Sequence, residues 1–86
     1  MPTNVRAAKE AKPKVWPRST SDRLNVSFAG HDLQSLTLTS AGGETMMRQK
    51  AGGDEITLHI GSMPKGIYIL TVEAGGKSYY YKVIRK

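Results

Sequence analysis

Apolar and polar residues alternate with a period of two through most of this chain. Leu24, Val26 and Phe28 are interleaved with Asn25 and Ser27. Leu36 and Leu38 alternate with Ser35, Thr37 and Thr39, and Ile56, Leu58 and Ile60 alternate with Thr57 and His59. Successive side chains of an extended chain point to opposite faces, so this period predicts strands with one face buried. Thr45 to Gln49 reads as a return strand with Met46 or Met47 turned inward. After the Pro64-Lys65-Gly66 turn, Ile67 to Glu73 carries Tyr68, Leu70 and Val72 on one face and Ile67 and Ile69 on the other. Apolar residues on both faces at its start predict a central strand covered on two sides. Ser78 to Ile84 reads as the last strand. Tyr79, Tyr81 and Val83 share one of its faces; Tyr80, Lys82 and Ile84 share the other.

Turn residues punctuate these runs. Arg18-Ser19-Thr20-Ser21-Asp22 and Ala29-Gly30-His31-Asp32 read as turns. Ala41-Gly42-Gly43-Glu44 and Ala74-Gly75-Gly76-Lys77 read as hairpin turns, and Ala51-Gly52-Gly53-Asp54 turns the chain again. Turn signals about every 8–12 residues are the spacing of a sandwich or barrel. No stretch after Val15 has a helical period. The expectation is an all-β antiparallel sandwich of six strands, or seven if Val15-Trp16 forms one. Residues 15–86 are expected to make the domain. Residues 1–14 have no apolar period and no aromatic residue, and are expected to be a flexible linker or tail. Within it, Ala7, Ala8 and Ala11 suit one helical turn that Pro13 would stop.

Size and composition narrow the picture. At 86 residues a domain buries only about 60–65% of its unfolded surface, so nearly every strand should be needed for folding. There is no cysteine, which excludes disulfides, thiolate metal sites and Cys nucleophiles. No apolar run approaches the roughly 20 residues of a membrane helix. The N-terminal stretch has no apolar core of a signal peptide. The net charge of +6 is concentrated at the two ends, in Arg6, Lys9, Lys12, Lys14, Arg18 and Arg23 and again in Lys82, Arg85 and Lys86. Such ends favour acidic partners, although solvation of the ends is the plainer account.

Little in the sequence points to catalysis. His31-Asp32 sits in a turn, and His59 alternates with inward residues. A Ser–His–Asp set needs a buried base within hydrogen-bond reach, and nothing supports one. Asp54-Glu55 supplies too few oxygens for calcium. The Gly-Gly pairs lack the helix and Lys-Ser/Thr of a phosphate loop. Tyr79-Tyr80-Tyr81 beside Lys77 and Lys82 invites a single-strand nucleic-acid reading, in which bases stack on aromatic rings. Neighbours on a strand face opposite ways, so core and edge strand account for the triplet better. No enzyme activity, cofactor or metal is expected.

The segment GSMPKGIYILTVEAGGKSYYYKVIRK resembles the close of the C-terminal sorting domains used by the type IX secretion system of Bacteroidota. Met63-Pro64-Lys65-Gly66-Ile67-Tyr68-Ile69-Leu70 looks like the family's turn followed by Gly-Ile-Tyr and an apolar strand. Lys82-Val83-Ile84-Arg85-Lys86 looks like its basic terminal strand. Leu36 to Gln49 is similar to its hairpin, with Glu44 where the family is often basic. Val15-Trp16-Pro17 is similar to its aromatic-Pro opening, with Arg18-Ser19 in place of Asn-Pro. The resemblance implies an immunoglobulin-like β-sandwich that serves as an address. A cargo attached N-terminally would pass through the periplasm, and an outer-membrane translocon would deliver it to the cell surface or the medium. A sortase-like peptidase commonly removes the domain and joins the cargo to an anionic lipopolysaccharide. By the same resemblance, Lys82, Val83, Ile84, Arg85 and Lys86 carry recognition, while Pro64, Gly66, Tyr68, Trp16 and Pro17 shape the fold. A carbohydrate- or protein-binding module with Trp16 or Tyr80 as its platform is the alternative.

Overall fold

The computed structural model describes residues 12–86. The residues expected to form most of the tail, and the possible helical turn at Ala7, Ala8 and Ala11, lie outside that range. The described chain is all β. Its strands are β1 (Lys14–Trp16), β2 (Ser19–Thr20), β3 (Arg23–Ser27), β4 (Leu33–Ser40), β5 (Thr45–Lys50), β6 (Glu55–His59), β7 (Gly66–Ala74) and β8 (Lys77–Arg85). They form a three-stranded sheet in the order β1-β3-β6 and a five-stranded sheet in the order β2-β8-β7-β4-β5. All pairs are antiparallel except β2 with β8. The sandwich expected from the alternation is the architecture found.

Alternation places the core between the sheets. Val15, Leu24, Val26, Phe28 and Leu58 point inward from the smaller sheet. Leu36, Leu38, Tyr68, Leu70, Val72, Tyr81 and Val83 meet them from the larger one, and none of these is more than 8% exposed. Ile60 and Met63 plug one end from the connection after β6. No polar or charged residue is buried among the described residues. The core is therefore held mainly by apolar burial, at about 25 cal/mol per Å² of apolar surface buried.

Local chemistry sets the register. The β7–β8 hairpin closes with Ala74 opposite Lys77. Gly75 and Gly76 have φ of 59° and 78°, the two positive values that a two-residue type I′ turn requires and that side chains resist. The β4–β5 hairpin closes with Gly43 N–H donating to the Ser40 carbonyl at 2.9 Å. A bulge follows, since Leu38 pairs with Met47 and Thr39 with Thr45. Met46 is the extra residue, and both methionines pack against the core, half-buried. This is why the sequence left the inward methionine undecided: an extra residue breaks the period of two.

Three expectations are corrected. Ser19-Thr20 is not a turn but a two-residue strand parallel to the end of β8, so there are eight strands rather than six or seven. Backbone bonds fix it: Ile84 N–H donates to the Arg18 carbonyl at 2.7 Å, and Lys86 N–H to the Thr20 carbonyl at 2.9 Å. β7 is central within its sheet, but among the described residues it is covered on one face only. Ile67 and Ile69 are 46% and 37% exposed. Finally, Lys14, placed in the tail by sequence, lies within β1, and Pro13 is buried beside it.

Candidate functional site

The terminal strand β8 is the element on which the sequence places recognition. Its pleat divides the five candidate residues. Lys82, Ile84 and Lys86 are exposed. Val83 is fully buried, so its side chain belongs to the core. Arg85 is half-buried. Its Nε donates to the Ile60 carbonyl at 3.2 Å, and its terminal nitrogens donate to the carbonyls of Gly61 and Lys86. It ties the end of β8 to the connection leaving β6. Ile60 N–H in turn donates to the Asp22 carbonyl at 2.7 Å. This end of the sandwich is thus laced by backbone carbonyls around one guanidinium, whose fork of donors suits the task.

Register adds Ile67 and Ile69, which the sequence did not tie to recognition. Ile84 lies opposite Ile67, Lys82 opposite Ile69, and Tyr80 opposite Thr71 on the outer face. Ile67, Ile69 and Ile84 therefore form an exposed apolar strip beside Lys82 and Tyr80, and Tyr80 is 69% exposed. The signal was present as apolar residues on both faces of β7, but it reads equally as two-sided burial. On β4 the next row is Thr39 and Thr37, so the strip ends in hydroxyls.

The structural motif residues sit where the turn needs them. Gly66 has φ of 153°, a value side chains avoid. It is exposed, as is Pro64. Tyr68 is buried with its hydroxyl donating to the Pro64 carbonyl at 2.5 Å. The ring fills core while its polar end pins the turn that precedes its own strand. Trp16 is 42% exposed and is joined to Pro17 by a cis peptide.

A second latch involves Tyr81. Its hydroxyl donates to the Pro13 carbonyl at 2.6 Å, and the Arg18 guanidinium lies 5.0 Å from its ring centre. Burial pushes the Tyr81 phenol above its ordinary 10.0, Arg18 pulls it back less strongly, and Tyr79 adds to the rise. Above pH about 10 the unfolded chain loses this proton before the folded one does, so stability falls as pH rises through that range and is fully present below it. Denaturant midpoints measured from pH 8.5 to 11 are expected to fall more steeply for the native chain than for Tyr81→Phe. Parallel slopes would show that this phenol does not contribute.

The other candidates stay apart. His31 stacks on Phe28 with ring centres 3.9 Å apart, a surface packing contact. His59 Nδ1 lies 4.0 Å from Asp22 Oδ1, both well exposed. Among the described residues no three His, Cys, Asp or Glu side chains converge as metal ligands. No described helix is long and apolar enough to cross a membrane.

The model of one family, the secretion system C-terminal sorting domain, matches residues 14–86. The chain belongs to that family. No curated protein matches it. The sorting domain is the C-terminal signal for type IX secretion. It implies a type IX system, an attached cargo, and export through the outer membrane to the cell surface or the medium. The family is not known for catalysis. The carbohydrate- or protein-binding module weighed from the sequence has no support beside that match.

Proposed function

We propose that the outer-membrane translocon reads this sorting domain folded, through the outward residues of its terminal strand. The observation that carries this is the division of labour along β8. Val83 and Arg85 anchor the strand, while Lys82, Ile84 and Lys86 stand exposed beside Ile67 and Ile69. A rigid strand that displays cations next to apolar surface suits a receptor that is steered by charge and then packs. The cargo passes through the periplasm on its way to that receptor. A sortase-like peptidase then cuts ahead of Pro13. A peptidase needs extended, accessible chain, and Pro13 is buried under the Tyr81 hydroxyl. The domain itself performs no chemistry.

Removing residues 82–86 would be a poor test, because it removes Val83 and Arg85 as well. The cleaner variant is Lys82→Glu with Lys86→Glu, in the whole chain fused behind a periplasmic reporter in a bacterium with a type IX system. Melting of the purified variant is expected to stay within a few degrees of the native value, since exposed substitutions usually cost under about 0.5 kcal/mol. Surface delivery is expected to fall about tenfold or more, the scale on which charge steering acts. Native delivery by the folded variant would remove the terminal cations from recognition.

A further inference from the structure

The larger sheet ends on β2, which has only two residues, so most of the long strand β8 is left as an edge. β8 pairs with β7 in unbroken register along nine residues, Gly66–Ala74 against Lys77–Arg85. On its other side β2 covers only Ile84 and Arg85. The Ile84 N–H points away from β7, to the Arg18 carbonyl. Backbone groups alternate in direction along a strand, so the N–H and C=O of Lys82, Tyr80 and Ser78 point the same way. Among the described residues no strand pairs with them. Edges of this kind are usually blunted by a bulge, a proline, brevity, lysine side chains or a covering loop, and of these β8 has its lysines and the neighbouring Lys12–Arg18 segment. Here the strand is long, free of proline and free of a bulge. β5, at the opposite edge of the sheet, carries a bulge at Met46. β1 has three residues.

This edge also forms the floor of a groove. The segment from Lys12 to Arg18 passes alongside it, held by the Tyr81–Pro13 bond. A cavity of about 340 Å³ runs between them, lined by Ser78, Tyr79, Tyr80 and Tyr81 from the strand and by Lys12 and Arg18 from the opposite wall. The lining holds two cations and no acid. Lys82 stands just beyond it, exposed. The nearest acid in register, Glu73 opposite Ser78, already accepts a hydrogen bond from Ser35 Oγ at 2.7 Å.

We propose that the open edge of β8 from Ser78 to Lys82 accepts an acidic, extended peptide segment of a partner protein as an added strand. Three residues whose outward N–H and C=O groups meet no strand among the described residues give the pairing, as in recognition by strand addition generally. The side chains of the incoming strand that turn toward Lys12 and Arg18 supply the carboxylates. The inference deepens the reading of β8 as the recognised element: it names the chemistry of the partner and the edge it uses.

The test is a titration of the full ¹⁵N-labelled chain with an acetylated and amidated Glu-Val-Glu-Val-Glu-Val-Glu peptide. The expected result is saturable shifts centred on the amides of Ser78, Tyr80 and Lys82, with slowed hydrogen exchange there. Binding should weaken with salt, and a Lys-Val peptide should give no such shifts. Tyr80→Pro removes one outward N–H and leaves the β7 ladder intact, because that N–H takes no part in it. It is expected to weaken binding roughly five- to tenfold, the scale of one net hydrogen bond. Should Tyr80→Pro fail to fold, Lys12→Glu serves instead, and a loss of affinity is again expected. No shifts at this edge with the acidic peptide would overturn the proposal. So would shifts there on raising the protein concentration alone, which would make a second copy the occupant. Sedimentation with phosphatidylglycerol vesicles in the absence of any peptide effect would overturn it too, in favour of a lipid surface. The outcome is separable from the export assay. Lost export in Lys82→Glu/Lys86→Glu without peptide binding keeps β8 as the recognised strand and removes the edge mechanism. Peptide binding with unaffected export does the reverse.

Discussion

Val83→Asp is expected to unfold the domain, whereas Lys82→Glu, one residue earlier, is expected to leave it folded. Val83 is fully buried and lies opposite Tyr68 across the β7–β8 seam. An aspartate there places a carboxylate among apolar side chains, and the hydroxyl of Tyr68 opposite it already donates to the Pro64 carbonyl. An unpaired buried charge costs several kcal/mol even after it takes up a proton, and the lost valine adds more. Native stability at about 0.05–0.15 kcal/mol per residue amounts to about 4–11 kcal/mol for a domain of this size, so the change removes most or all of it. Collapse of amide dispersion in the NMR spectrum of Val83→Asp, with native dispersion in Lys82→Glu, is the expected pair of results. Native spectra for both would mean that β8 is not anchored through Val83. In the export assay both variants are expected to lose delivery, one because no folded signal exists and the other because the folded signal carries the wrong charge. Only the spectra tell these apart, so a deletion of the whole terminal strand identifies no recognition residue.

The same two residues show how far the sequence carries. The alternation of Tyr79, Tyr81 and Val83 against Tyr80, Lys82 and Ile84 was legible, because a period of two survives wherever a strand has one wet face. The hairpins at Gly42-Gly43 and Gly75-Gly76 were legible because positive φ leaves a glycine signature. β2 was not, because it is held to β8 through the backbone carbonyls of Arg18 and Thr20, which leave no signature in the sequence. The exposure of Ile67 and Ile69 was not legible either. Isoleucine on an outer face reads like isoleucine in a second layer until the fold shows that no described strand covers it. Arg85 resembled its basic neighbours in the sequence, and only the fold brings the Ile60 and Gly61 carbonyls to it. The groove beside β8 joins residues about seventy positions apart, as in the bond from Tyr81 to Pro13, and no local pattern encodes such a distance.

Leu70→Ala is expected to lose about 3–4 kcal/mol of stability, and Ile69→Ala under about 1 kcal/mol. Leu70 is fully buried at the middle of β7. It faces Leu38 on one side and Tyr81 on the other, so one row of three side chains crosses the larger sheet. Truncation leaves a cavity under both sheets, and continuous ladders on each side of β7 restrict how far the strand can move to close it. Ile69 points outward and is 37% exposed, so its truncation removes less buried surface and leaves no cavity. Urea titration should show a lower midpoint with unchanged slope for Leu70→Ala, the mark of lost stability without altered compactness. Leu70→Met conserves volume and is expected to restore all but about 1.5 kcal/mol. Export should follow the same order, with Leu70→Met close to native and Leu70→Ala reduced in proportion to its folded fraction. Native export from a Leu70→Ala domain that is largely unfolded would mean that the translocon reads a linear segment. The sandwich would then be no part of the address.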